Sequence, residues 1–255
     1  MKDKCLKMVT MALVLTMVSC TTHYTVEKVE RTRLLVDKAY DVPLSAEITD
    51  FMAPYKSRVD SVMSPVIGRA AKYLSPERPE GTLSNLLPDV LVWAGKLYGE
   101  KPDFGIYNRG GIRASIAAGD ITIGDIVDVA PFENKMCFIT LSGEKALQLM
   151  EQIAYRGGEG VSREVRIVMD KNNHLKHATI GGKEIDPNAS YRVATIDYIS
   201  HGNDRLTAFK DGTDRREMTG EEDLMRSVIM KYIKEQTAQG KAIDCDIEGR
   251  IIVEE

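Results

Sequence analysis

Residues 104–134, FGIYNRGGIRASIAAGDITIGDIVDVAPFEN, set the tightest limit on what this chain can fold into. The apolar run Phe104, Ile106, Tyr107 reads as a buried strand that breaks at Asn108-Arg109-Gly110-Gly111. Two adjacent glycines allow positive φ and let a ligand come close to the backbone. Arg113 follows two residues later, and Ala130-Pro131-Phe132-Glu133-Asn134 puts an aromatic residue in a loop stiffened by proline. An amide and a guanidinium on a glycine turn, with a loop ring nearby, suit a ligand with an anionic part and a flat part. A surface turn with polar residues, and a Phe132 that plugs the core, are the plainer alternatives.

The 255-residue chain, with net charge −4, is long enough for a sizeable core. It has no basic face interleaved with aromatics, which argues against a nucleic-acid polymer as partner. Lys2, Lys4 and Lys7 precede an apolar run over 8–18 that is too short to span a bilayer, and Val18-Ser19-Cys20 ends it. This resembles a bacterial lipoprotein signal. The expectation is a signal peptide over 1–19, lipidation at Cys20, and a chain held on the cell envelope, facing the periplasm or the outside. An ordinary secretory signal with an incidental Cys20 is the alternative. Cys137 and Cys245 are too few for a disulfide framework, and Cys137 sits in an apolar run as a small hydrophobe.

Residues 20–40 read as a tether or edge strand, with 34–36 the better strand candidate, and 41–255 as one domain. Ser45 caps a helix to Met63 with Ile48, Met52, Tyr55, Val59 and Val62 on one face. A short strand over 66–68 follows, then a helix capped by Thr82 that Pro88 should kink or reset. A helical turn begins at Thr122. A strand over 135–141 leads to a helix from Ser142 that buries Ala146, Leu147, Leu149, Met150 and Ile153. Strands over 165–169, 176–180 and 191–196 are separated by turns that suggest hairpins. Thr219-Gly220-Glu221-Glu222 reads as a capping box for a helix to Gln236, and 248–253 as a last strand. The whole predicts an α+β single domain, with a mixed sheet flanked by helices.

A second candidate region is Asp197-Tyr198 with Gly202-Asn203-Asp204. An aromatic and a carboxylate at a strand's exit can hold a planar ring and a pair of hydroxyls, although a buried tyrosine is the commoner fate.

Together, Asn108-Arg109-Gly110-Gly111-Ile112-Arg113, Pro131-Phe132-Glu133-Asn134 and Asp197-Tyr198 with Gly202-Asn203-Asp204 resemble the C-terminal substrate-binding domain of the 5'-nucleotidase / UDP-sugar hydrolase family. The resemblance runs from about Val66 to Val253. It implies that Phe132 and Tyr198 sandwich a base and that Asp204 holds the ribose hydroxyls. Asn108 and Asn134 would contact the nucleoside, Gly111 would line the pocket, and Arg113 would meet the phosphate. Arg78 stands about one position away from the family's first arginine. Two departures, Arg163 after Val161-Ser162 and Asn203-Asp204-Arg205 in place of Gly-Asp-Gly, put cations where the family keeps space, which implies either a different ligand preference or a partly closed pocket.

Family members cleave phosphate esters with two metal ions on a separate N-terminal metallophosphoesterase domain, which needs several His and Asp ligands. This chain has only His23, His174, His177 and His201 and none of the ligand boxes. The resemblance therefore implies the nucleotide (or nucleoside-diphosphate sugar) recognition half of a split 5'-nucleotidase. On this reading the chain has no catalytic residue or metal of its own, and divalent metals belong to a partner metallophosphoesterase polypeptide. A non-catalytic nucleoside- or nucleotide-binding lipoprotein is the alternative.

Overall fold

The computed structural model describes residues 27–34 and 45–254. The expected signal peptide, Cys20, most of the tether and nearly all of the 34–36 strand lie outside the described residues. Backbone contacts divide the chain into two units, Met1–Thr49 and Asp50–Glu255. In the first, residues 27–34 are exposed and irregular. Ser45 Oγ accepts the Ile48 N–H at 3.2 Å and so caps helix α1, Ala46–Met63, as its sequence predicts. The apolar face of α1 stays exposed, however, with no buried residue along the helix. Periodicity specifies a helix, but burial needs a second surface to pack against.

The larger unit is built on a five-stranded mixed sheet ordered β10-β4-β9-β2-β5. Its strands are Thr213–Glu217 (β10), Met136–Ser142 (β4), Ser190–Ile196 (β9), Phe104–Tyr107 (β2) and Gly160–Val161 (β5). β2 and β9 pair in parallel, whereas β4 pairs antiparallel to both β9 and β10. β4 and β9 carry nearly continuous buried runs, the pattern of strands covered on both faces.

A second sheet is ordered β11-β6-β7-β8, from Ile251–Glu254, Val165–Asp170, Leu175–Ile180 and Lys183–Glu184. β6 alternates buried and half-buried residues, so one face packs on the core. The expected 170–173 hairpin joins β6 to β7. The Gly181-Gly182 turn, in contrast, leads only into the short β8, and β9 crosses to the other sheet. Val193, Ala194, Thr195 and Ile196 are buried, and β2 and β4 provide the two flanks they need. A small third sheet pairs β1, Val66–Ala70, with β3, Gly119–Thr122, a strand the periodicity did not reveal.

Helix α2, Thr82–Ala94, packs on β2 and β5 and runs unbroken through Pro88. Gly105 explains how it comes so close: a Cβ there would lie 2.5 Å from the Pro88 carbonyl oxygen. Thr82 is the first helical residue rather than the cap, and its Oγ1 accepts the Ser75 N–H at 2.9 Å instead. Helix α3, Ile123–Val129, has a reciprocal Thr122–Asp125 capping box. Helix α4, Gly143–Tyr155, is capped by Ser142 Oγ and buries Ala146, Leu149, Met150 and Ile153, but Leu147 falls at the edge of that face and is exposed.

Helix α5 is the short turn Asp197–Ser200, and α6, Met225–Ala238, starts later than its sequence suggests. The expected Thr219–Glu222 capping box does not form; a 3-10 turn over Glu221–Asp223 stands there, and Asp223 Oδ2 accepts the Gly220 N–H at 2.9 Å. Cys137 and Cys245 are buried and unpaired, and burial pushes their thiols up to about 11 and about 12.

One buried cation fastens the two larger sheets. The Arg250 side chain is wholly out of solvent. Its guanidinium makes a bidentate pair with Asp89 on α2 (2.9 and 2.8 Å), reaches the Val161 carbonyl on β5 at 2.8 Å and meets Glu248 at 2.9 Å. Removing one partner of a buried, hydrogen-bonded pair leaves an uncompensated charge, at a cost of about 3–5 kcal/mol. Arg250→Ala is therefore expected to lower unfolding stability by about that much. A urea midpoint within experimental error of the unsubstituted chain would contradict this.

Candidate functional site

The parallel neighbours β2 and β9 end on the same side of the sheet, and the loops that leave them build the site. Ligand crevices in α/β sheets form beyond the carboxyl ends of parallel strands. β2 delivers Asn108 into the 3-10 turn Arg109–Gly111, and β9 delivers α5 with Tyr198. The loop after α3 supplies Phe132 and Asn134. Asn108, Gly110, Gly111, Phe132, Asn134, Tyr198 and Asp204 line one cleft of about 240 Å³.

Both rings stand at the surface, Phe132 at 47% exposure and Tyr198 at 41%, which excludes the core-plug and buried-tyrosine alternatives. Asn108 is buried and donates from Nδ2 to Asp204 Oδ2 at 2.7 Å. Its Oδ1 is buried without a hydrogen-bond partner. Tyr198 Oη donates to Asp204 Oδ1 at 3.3 Å, so Asp204 is the polar centre of the cleft. Arg113 is exposed beside the cleft, its guanidinium carbon 6.0 Å from the centre of the Phe132 ring, with a single long bond to the Gly110 carbonyl at 3.4 Å.

The double glycine serves the site differently from its sequence-based expectation. Neither Gly110 nor Gly111 takes a positive φ; both lie in or at the right-handed 3-10 turn. Space is what the turn requires. A Cβ on Gly111 would sit 2.7 Å from Asn108 Oδ1, so a side chain there would push the amide off Asp204. Positive φ occurs instead at Asp204 (54°) and Arg205 (61°). Non-glycine residues in that region store about 1–3 kcal/mol each, held by surrounding contacts.

The two suspect cations do not close the cleft. Arg163 turns to Asp89, with its Nη2 at 3.0 Å, and Arg205 lines a different cavity. The expected narrowing fails because each side chain finds its place on another surface. Arg78 does not line the cleft either. Its Nη2 donates to Glu159 Oε1 at 3.0 Å and its Nη1 to the Arg156 carbonyl. Among the histidines, His174 pairs with Asp170, His177 with Glu184 and His201 with Glu217. Among the described residues no group of three or more His, Cys, Asp or Glu could hold a metal ion.

Three supporting residues escaped the sequence reading. Glu159, its side chain fully buried, accepts from Arg78, from Arg156 Nε (2.6 Å) and from the Arg109 backbone N–H (2.6 Å). Arg156 also places its Nη2 4.0 Å from Asp204. Arg226, near the start of α6, donates to the Phe132 carbonyl at 3.3 Å and latches the aromatic loop. The glycine turn around Glu159 was the available signal, since a charged residue set among glycines is a poor spacer and a good anchor. Arg226 left none.

The family model described as 5'-nucleotidase, C-terminal domain, matches residues 66–211, and the chain belongs to that family. Protein UshA of Yersinia enterocolitica is 25% identical over 183 residues, which covers 70% of this chain and 33% of that protein. The cell wall protein Lmo0130 of Listeria monocytogenes is 26% identical, covering 81% of this chain and 29% of that protein. The chain thus spans about a third of the length of these relatives. Among solved structures, a 5'-nucleotidase precursor from Thermus thermophilus superposes with a TM-score of 0.68 at 26% identity, covering 80% of this chain and 42% of that one.

The charge on Asp204 disfavours a neighbouring phenolate and so raises the Tyr198 pKa, with smaller contributions from burial and their hydrogen bond. Asp204→Asn is expected to bring that pKa back down toward the ordinary tyrosine value. Ultraviolet titration of tyrosinate, with Tyr198→Phe to assign the transition, checks this; an unchanged or higher pKa would show that Asp204 does not face the hydroxyl.

Proposed function

We propose that this chain is the nucleotide-recognition half of a split 5'-nucleotidase, which holds the base and ribose while a separate metallophosphoesterase polypeptide cleaves the phosphate ester. The observation that carries the reading is the shared cleft. Two exposed rings from separate loops border it, with a carboxylate and a buried amide between them. Base–aromatic stacking contributes about 1–3 kcal/mol per base, so Phe132 and Tyr198 can grip one base from two sides. Asp204 accepts hydrogen bonds from vicinal hydroxyls. Asn108 and Asn134 offer amides to the nucleoside, and Gly111 leaves room for it. Arg113, held by only one long bond, is free to turn its fork to phosphate. Arg78 acts indirectly in this reading, by bracing Glu159.

The catalytic half is assigned elsewhere because metal-assisted ester cleavage needs a clamp of several ligands, and the described residues offer no such cluster. The divalent metals are therefore proposed to reside on the partner. Relatives of which this chain covers about a third, among them a cell wall protein, support a location on the cell envelope. Anchoring through lipid on Cys20 is part of the same proposal. Capture of nucleotide without hydrolysis is the second reading, and co-purification with a phosphatase subunit separates the two.

AMP is expected to bind the purified chain, and Phe132→Ala and Tyr198→Ala are each expected to weaken it by about 1–3 kcal/mol in calorimetry. Full affinity in both variants would remove the base-clamp reading. The chain alone, supplied with manganese or zinc, is expected to release no phosphate from AMP. Metal-dependent release by the purified chain would refute the division of labour.

A further inference from the structure

A side-chain cluster that the nucleotide reading leaves unused lies on the other side of the 204–205 corner. We propose that the cavity there is a second ligand site, one that takes a small organic phosphate such as a pentose monophosphate. The inference goes beyond the nucleotide reading and does not require it.

The cavity measures about 420 Å³, larger than the nucleoside cleft. The last turns of α4 contribute Glu151, Tyr155 and Arg156, the β6–β7 turn and the start of β7 contribute Asn173, His174 and Leu175, and Arg205 lines it from the corner. Its chemistry divides into two parts. Arg156 and Arg205 offer two guanidinium forks, the geometry that binds phosphate oxygens in pairs. The Tyr155 ring and Leu175 form an apolar wall for a carbon skeleton, with the Asn173 amide at hand for hydroxyls. Orthophosphate would use the forks and leave the wall empty; an organic monoester uses both.

Two observations separate this cluster from ordinary surface. The Arg205 and Tyr155 side chains make no hydrogen bond or ion pair among the described residues, although polar residues share the cavity with them. Arg205 is also held at φ 61°, where glycine would be unstrained. The backbone gains nothing from an arginine there, so the gain lies in its side chain. Of the Arg156 nitrogens, only Nε is within hydrogen-bond distance of a carboxylate, that of Glu159. Its Nη2 lies 4.0 Å from Asp204, which places one guanidinium between the two cavities. An anion that draws Arg156 toward the second cavity alters the charge beside Asp204, so occupancy of the two cavities is coupled, and coupling of binding is reciprocal.

Calorimetric titration of the full chain with ribose 5-phosphate tests the site, with orthophosphate as the second probe. Ribose 5-phosphate is expected to bind at least tenfold more tightly than orthophosphate. Phe132→Ala should leave its affinity unchanged, whereas Tyr155→Ala and Arg205→Gly should each weaken it tenfold or more. Arg205→Gly removes the side chain and relieves the backbone at once, so a loss of binding cannot be ascribed to unfolding. AMP affinity is expected to change when ribose 5-phosphate is saturating. Absence of ribose 5-phosphate binding, unchanged affinity in Arg205→Gly, or equal affinity for orthophosphate would overturn the proposal. Loss of ribose 5-phosphate binding in Phe132→Ala would also overturn it, by locating the sugar phosphate in the nucleoside cleft. Failure of AMP to bind at all would bear on the nucleotide reading alone.

Discussion

Glu159 is the contact on which the site's geometry turns. A carboxylate with no solvent exposure is costly to bury unless its oxygens are satisfied, and here three donors satisfy them: two guanidinium groups and one backbone N–H. Each donor belongs to a different part of the surroundings. Arg78 comes from the loop before α2, Arg156 from the end of α4, and the Arg109 N–H from the glycine turn that presents Asn108. The charge holds together loops that have no regular structure of their own, and the cleft inherits its shape from that arrangement. Arg250 does for the sheets what Glu159 does for the loops: each is a buried charge that ties together segments remote in sequence.

The division of labour within the site follows from this support. Phe132 and Tyr198 remain exposed because Arg226 and Asn203 hold the loops beneath them by their backbone carbonyls, not by packing the rings. A ring held in this way can be both ordered and available. Asp204 is likewise oriented by Asn108 and Tyr198 without being withdrawn from the surface, and it retains acceptor capacity for a ligand. The shape of the cleft is a property of the frame around the side chains as much as of the side chains themselves.

Much of this was legible in the residues. Ser45, Thr122 and Ser142 announced three helix starts through cap chemistry that acts over three residues, and local rules suffice for such signals. The β6–β7 hairpin was equally local. The destination of β9 was not: its apolar run fits either sheet, and only the flanks offered by β2 and β4 decide between them. Pro88 misled because a proline's penalty is local whereas the packing of α2 on Gly105 is not. The cleft residues were readable because adjacent motifs carry them. Glu159, Arg156 and Arg226 were hidden, since each acts across the fold on a backbone or a charge that is remote in sequence. Arg163 and Arg205 looked like obstructions for the same reason: a sequence shows the size of a side chain but not the direction it leaves in.

The parallel pairing of β2 with β9 has a temporal side. Phe104 and Gly105 find their partners at Val193 and Ala194, so most of the domain must be synthesised before the first can meet the second. Long-range pairing of this kind is slow to form, because loop closure comes before any contact rewards it. During synthesis Asn108 and its glycine turn therefore exist for some time without Tyr198 or Asp204 opposite them, and a nascent chain has half a cleft. The two halves of the cleft meet only when β9 and the corner at Asp204 reach the turn that β2 left waiting.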